Sequence, residues 1–156
     1  MGEDAGAGLL KLLGAVVEQA QKLKDKHTDE VTAKVNYACI FAQNQNEYDT
    51  FIRLASRIGK VIQDTPTGPL FIITPLDTKA GKLKLVKIRL PDKTRRERGD
   101  ADFTVHDYFT FKKCCLAKPG FKLILRDNFE MVELVDPEFD VRAYFSNPPL
   151  DKQLDL

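Results

Sequence analysis

One order of elements occurs twice in this chain, and that repetition limits the fold more than any other feature. Residues 35–42, VNYACIFA, are dense in β-branched and aromatic side chains and predict a buried strand. Residues 47–58 return to helical spacing through Tyr48, Phe51, Ile52, Leu54, Ala55 and Ile58. Gly59 then stands where a left-handed C-cap is expected. Strands follow at 60–64, 70–74 and 83–90, with a Pro66-Thr67-Gly68 turn and a loop over 75–81. After a cationic stretch the order recurs: a strand at 101–105, a helix at 106–116, and strands at 121–126, 129–135 and 141–145. This internal repeat lies in element order more than in identity, and each unit needs the other to complete a core.

Ahead of the first unit, residues 8–27 carry Leu9, Leu13, Val16, Val17, Ala20 and Leu23 at amphipathic helical spacing. That stripe is expected to dock on the chain's own body; the alternative is an interaction module that grips a partner with it. The expected organisation is one compact domain: a helical segment over 1–34, a first module with linker over 35–98, a second over 99–148, and a loosely held polar tail over 149–156. The fold class is α+β, two βαβββ modules forming a concave mixed sheet plus the N-terminal helix.

Charge excludes several classes of partner. Lys and Arg number 24 against 23 Asp and Glu, so no whole-molecule field points to nucleic acid or membrane. The cationic run between Arg89 and Arg98 lacks interleaved aromatics, contains Asp92 and Glu97, and is expected to be a solvated linker. No apolar run approaches the roughly 20 residues of a membrane span. The N-terminal residues lack a cationic signal-peptide region. Cys39, Cys114 and Cys115 form no framework spacing. A cytoplasmic protein with reduced thiols is therefore expected. No Walker A, GxGxxG, HExxH or GxSxG pattern occurs, and whether the chain is an enzyme stays open.

Two βαβββ units in a chain of this length resemble the vicinal oxygen chelate superfamily of glyoxalases, bleomycin-resistance proteins and extradiol dioxygenases. Residues 35–105 look like its YecM-like branch, on VNYACIFAQNQNEYDTF, TGPLFIITPL and LVKIRLPDKTRRERGDADFTV. The resemblance implies a metal site with one ligand from each of four strands. Here those positions hold Tyr37, Lys87 and Asp102, with the fourth near Arg142 or Tyr144. An ammonium has no lone pair to offer and repels a cation. The expectation is a degenerate site, with no metal and no cofactor. Some members of the superfamily exchange modules between chains, so a homodimer is compatible with the pattern.

Strand alternation indicates what the same concavity would hold instead. Residues two apart share a face, which groups Tyr37 with Cys39, Lys87 with Arg89, Asp102 with Thr104, and Arg142 with Tyr144. Their neighbours Ala38, Ile40, Val86, Ile88, Phe103, Val105, Ala143 and Phe145 are apolar, as a helix-covered face requires. A small anionic ligand is the expected partner, bound by Tyr37, Lys87, Arg89, Asp102, Arg142 and Tyr144 with the arginines as clamps. The competing reading makes Lys87 and Asp102 a structural ion pair. A metal-dependent lyase, isomerase or oxygenase with oxygen ligands from Tyr37, Asp102 and Glu133 is the catalytic alternative. A metal set of His106, Asp107 and Glu133, or a nucleophilic pair of histidine with Cys114 or Cys115, has no recognisable motif.

Overall fold

The computed structural model describes residues 2–156, with side chains from residue 7 onward. A first helix, α1 (Gly2–His27), precedes β1 (Lys34–Phe41), α2 (Gln45–Ile58), β2 (Gly59–Thr65), β3 (Gly68–Thr78) and β4 (Gly81–Arg89). The second module is β5 (Gly99–Thr104), α3 (Tyr108–Cys115), β6 (Phe121–Leu125), β7 (Glu130–Leu134) and β8 (Val141–Asn147), and a short helix α4 (Leu150–Gln153) follows.

All eight strands form one sheet in the order β2-β3-β4-β1-β5-β8-β7-β6. Exchanging β1–β4 for β5–β8 and reversing that order returns it unchanged, so the two βαβββ modules are related by a pseudo-twofold at the β1–β5 seam. Within each module the first strand pairs in parallel with the fourth, β1 with β4 and β5 with β8. The seam is antiparallel and sets Ala38 opposite Ala101. Gly99 permits a close approach beside it: a Cβ there would collide with the Cys39 carbonyl and lie 3.2 Å from Val16 Cγ1.

The alternation expected from sequence separates two faces. Ala38, Ile40, Val86, Ile88, Ala101, Phe103, Ala143 and Phe145 are buried in one core with Leu54 and Ala55 of α2 and Phe111 of α3. The α1 stripe joins the same core, with Leu9, Leu13, Val16, Val17, Ala20 and Leu23 all buried. At about 1.5–3 kcal/mol per buried Leu or Val, the stripe's gross contribution is on the order of 10 kcal/mol. The partner-gripping alternative thus loses its apolar surface. α3 explains why α1 is needed: its 8 residues span only about 12 Å. α1 packs on β5 and β8 as well as on β1, β3 and α2, covering sheet that α3 leaves bare.

Four local expectations need correction. Gly59 is not a left-handed cap but extended, at φ −170°; it opens β2, where a Cβ would collide with the Ile72 carbonyl. Residues 75–78 are strand, because β3 continues to Thr78 past an irregularity in its pairing between Ile72 and Leu76. α3 starts at Tyr108 rather than at His106, because Asp107 caps it, its side chain accepting from the Thr110 N–H. The tail is not loose, since residues 150–153 form α4 beside β1.

Candidate functional site

The polar side chains of the central strands lie on the face opposite the helices, but they divide into two environments. At one end is a cavity of about 350 Å³. Tyr37 of β1, Lys87 of β4 and Ser146 of β8 line it from the sheet, and Gln63, Thr65 and Leu70 supply one wall. Asn128, Phe129 and Met131 supply the opposite wall, while Leu150 and Gln153 of α4 and Leu154 just past it close over it. Each module therefore contributes, and the C-terminal helix completes the enclosure.

Lys87 is the only charged side chain lining this cavity, and among the described residues it has no ion-pair or hydrogen-bond partner. Burial lowers its pKa; the nearby Cys39 thiol and Asp100 oppose that effect, while Arg89 and Arg95 add to it. A half-buried ammonium without a partner has unfulfilled demand for an anion or for hydrogen-bond acceptors.

Asp102 is fully buried beneath this floor. Its Oδ1 accepts from the Ser146 N–H at 3.1 Å and Asn36 Nδ2 at 3.0 Å, and its Oδ2 accepts from the Ser146 hydroxyl. Burial raises its pKa to about 6 against those hydrogen bonds, which favour the charged form. The expected Lys87–Asp102 pair is not formed: Asp102 takes neutral donors of β1 and β8 instead. In register, Cys39 lies opposite Lys87 and Tyr37 opposite Asp102, so the two charges are offset along the strands.

The other end of the face is filled by ion pairs, with an open groove beside them lined by Arg95, Glu133 and Arg142. The β4–β5 connection turns Arg95, Glu97 and Arg98 back onto the protein while Pro91, Lys93, Thr94 and Arg96 stay exposed, so the expected solvated linker holds for only part of it. Arg95 lies over the Phe41 ring, Cζ 5.5 Å from the centroid, and donates to Tyr144 Oη at 3.2 Å. Tyr144 in turn donates to Glu133 Oε2 at 2.6 Å. Arg142 reaches Glu133 through Nη1 at 3.2 Å and Glu97 through Nε at 3.1 Å. The Nε contact is an ion pair without hydrogen-bond geometry, since Arg142 Nε is also an unsatisfied buried donor. Arg89 turns to Asp92 at 3.3 Å. On the other side of the connection, Arg98 clamps Glu47 through both terminal nitrogens and stacks over Phe51.

Of the six site residues expected from sequence, Tyr37 and Lys87 line the cavity, and Asp102 supports it from below. Arg89, Arg142 and Tyr144 belong to the filled end, where carboxylates already hold both arginines. Sequence reasoning missed Ser146, Asp100, Arg95 and the tail residues. Alternation could have found two of them: Ser146 is two beyond Tyr144 and Asp100 two before Asp102, each in a strand that runs further than expected. Nothing local could have found Arg95 or α4, whose positions depend on how the chain folds back.

Asp100 sits at the seam between these two environments, opposite Cys39 on one side and Arg142 on the other. It is buried, and its Oδ1 has no hydrogen-bond partner. Burial, then the neighbouring Asp102, push its pKa up to about 7. Burial and Asp100 likewise raise the Cys39 thiol and the Tyr37 hydroxyl well above their usual values. Cys39 is thus a protonated thiol at neutral pH, unlike the thiolate that nucleophilic catalysis requires.

The metal positions implied by the family resemblance do not fit a cation. Lys87 occupies one, Asp102 has already committed both oxygens to protein donors, and Arg142 brings a second positive charge. Among the described residues no three His, Cys, Asp or Glu side chains gather as a metal site. Asp107 is spent as a cap and Glu133 holds Tyr144 and Arg142, so the relocated set of His106, Asp107 and Glu133 is not assembled. No helix of the described chain is long and apolar enough to cross a membrane.

No family model matches the sequence, and no curated protein matches it. Among solved structures, the structural-genomics Protein EC4020 superposes with a TM-score of 0.64 at 14% identity, over 92% of this chain and 86% of its own. That similarity shows a shared fold. A glyoxalase/bleomycin resistance protein/dioxygenase superfamily member from Vibrio splendidus 12B01 superposes at 0.48 and 12% identity, over 74% and 98% of the two chains. An NAD-dependent benzaldehyde dehydrogenase from Legionella pneumophila reaches 0.39 at 15% identity, over 71% and 96%. At those scores neither carries an argument about this chain.

Proposed function

We propose that the chain binds a small amphipathic carboxylate in the cavity between its two modules, with Lys87 as the cation that receives it. The observation that carries this reading is the unpartnered Lys87 ammonium on the wall of a 350 Å³ enclosure. That volume lies at the small end of the usual range for ligand pockets. Leu70, Phe129, Met131, Leu150 and Leu154 offer an apolar surface for the ligand's body. Tyr37 and the side-chain amides of Gln63, Asn128 and Gln153 offer hydrogen bonds around its rim. The reading belongs to the ligand-binding class expected of a vicinal oxygen chelate fold whose metal positions are replaced, and it differs from the sequence expectation in dropping the arginine clamps.

Calorimetric titration with 3-phenylpropionate and with its neutral amide tests this reading. The acid should bind and the amide should not, and Lys87→Met should weaken the acid about ten- to hundred-fold, the worth of a hydrogen bond to a charged group. Equal binding of acid and amide, or an unchanged affinity in Lys87→Met, overturns it.

A further inference from the structure

We infer that the cavity selects a carboxylate bearing a hydroxyl group, a hydroxy acid rather than the plain acid, because Ser146 can offer it only lone pairs. This inference rests on the ligand-binding reading above and names the ligand class. The argument begins with Asp102, which has no exposure and no cation beside it. Its Oδ1 takes two donors, the Ser146 N–H at 3.1 Å and Asn36 Nδ2 at 3.0 Å. Its Oδ2 takes one, the Ser146 hydroxyl. An ionised carboxylate has no proton to give, so the hydroxyl proton must point at Oδ2. A hydroxyl has a single proton and two acceptor lone pairs. With the proton committed to the floor, what Ser146 turns towards the cavity is acceptor only.

Asn36 fixes the carboxylate in turn, since its amide also donates to Thr104 Oγ1 at 3.1 Å and so spans the β1–β5 seam. The sheet side of the cavity therefore sets a group that only gives protons, Lys87, near one that only accepts, Ser146, while Tyr37 and the amides of Gln63, Asn128 and Gln153 can turn either way. A complementary ligand carries a carboxylate for the first and a hydrogen-bond donor for the second. A ligand ammonium would satisfy Ser146 as well, but it would share a partly dehydrated enclosure with the Lys87 ammonium. A hydroxyl fills the same lone pair without that repulsion.

Three probes of one shape test the inference: 3-phenylpropionate, 3-phenyllactate, which adds a hydroxyl, and phenylalanine, which adds an ammonium. At pH 8 the hydroxy acid should bind at least about five-fold more tightly than the plain acid, because the plain acid leaves a buried acceptor unpaired. It should also bind more tightly than phenylalanine. Ser146→Ala should bring the hydroxy acid to within about two-fold of the plain acid while binding still depends on Lys87. Asp102→Asn provides a second variant that keeps both bonds to Oδ1. Its new amide N–H would donate to Ser146 Oγ, turn the hydroxyl proton into the cavity and abolish the preference for the hydroxy acid. Equal affinities in the native protein, with Lys87→Met weakening both acids, would overturn this inference and leave the ligand-binding reading standing. Tighter binding of phenylalanine overturns the hydroxyl assignment, and binding of neither acid overturns both proposals.

Discussion

Among the described residues Arg142 is the sole partner of the buried Glu97 carboxylate, its Nε 3.1 Å from Oε2 while Oε1 has no hydrogen bond. The arginine expected to clamp a ligand is thus committed to joining β8 with the β4–β5 connection. Removing one member of a buried pair leaves the other charge unpaired, which costs about 3–5 kcal/mol. Arg142→Met should therefore destabilise the protein by that order, and Glu97→Gln on the Arg142→Met background should recover part of the loss. Urea unfolding of the single and double variants checks this, and a ligand affinity unchanged in Arg142→Met separates the structural role from a binding one.

Lys87 should show the opposite balance. Its charge lacks a partner among the described residues, so Lys87→Met should leave stability unchanged or raise it by about 1–2 kcal/mol at pH 7 while weakening the ligand. The folded pKa lies below the unfolded value near 10.5. Above the folded pKa the unfolded chain therefore holds more protons than the native one, and stability rises with pH. The native protein should gain stability relative to Lys87→Met as pH climbs towards 10.5, which paired urea titrations at pH 7 and 10 measure.

Asp100 governs the acid side. Its folded pKa of about 7 exceeds its ordinary 3.8, so between those values the native state binds more protons than the unfolded one. Its contribution is present in full at low pH and is lost as pH rises through 7. At 1.36 kcal/mol per pH unit the span corresponds to at most about 4 kcal/mol. Asp100→Asn should then be more stable than the native protein at pH 8 by about 1–3 kcal/mol, with the difference vanishing near pH 4. A variant no more stable at pH 8 than at pH 4, relative to the native protein, would show that Asp100 is compensated by Arg95 and Lys87.

The two-module sheet was legible in the sequence because periodicity reports which face of a strand meets the core. Ala38 and Ile40 alternate with Tyr37 and Cys39, and that alone put the helices on one side and the polar groups on the other. The site was only partly legible because facing the same way is not the same as touching. Lys87 and Asp102 share a face, yet β1 stands between their strands and a two-residue offset in register gives Asp102 to Ser146 and leaves Lys87 without it. Arg142 and Arg89 also point into the concavity, but Glu97 and Asp92 arrive from a connection whose path the charge run did not reveal. Strand ends were the other loss. Setting β8 to end at Phe145 and β5 to begin at Ala101 removed Ser146 and Asp100 from consideration.

The last expectation concerns α4. Leu150 and Leu154 line the cavity, and among the described residues α4 has no side-chain hydrogen bond or ion pair to the sheet. Its Gln153 amide instead donates to the Pro148 carbonyl at 2.7 Å. Apolar contact is then what holds this turn of helix in place, and such segments open at low free-energy cost. Leu154→Asp should weaken that packing by placing a charge in the apolar lining it shares with Leu70 and Phe129, while the sheet and the α1 core keep their packing. Global stability should fall by less than about 1 kcal/mol. Affinity for 3-phenylpropionate should fall roughly ten-fold, mainly through faster release, because the ligand loses apolar wall and enclosure together. Amide hydrogen exchange should show earlier exchange confined to residues 150–156. If exchange instead rises across β1 and β8 as well, α4 is an integral part of the sheet's stability rather than a cover over the cavity.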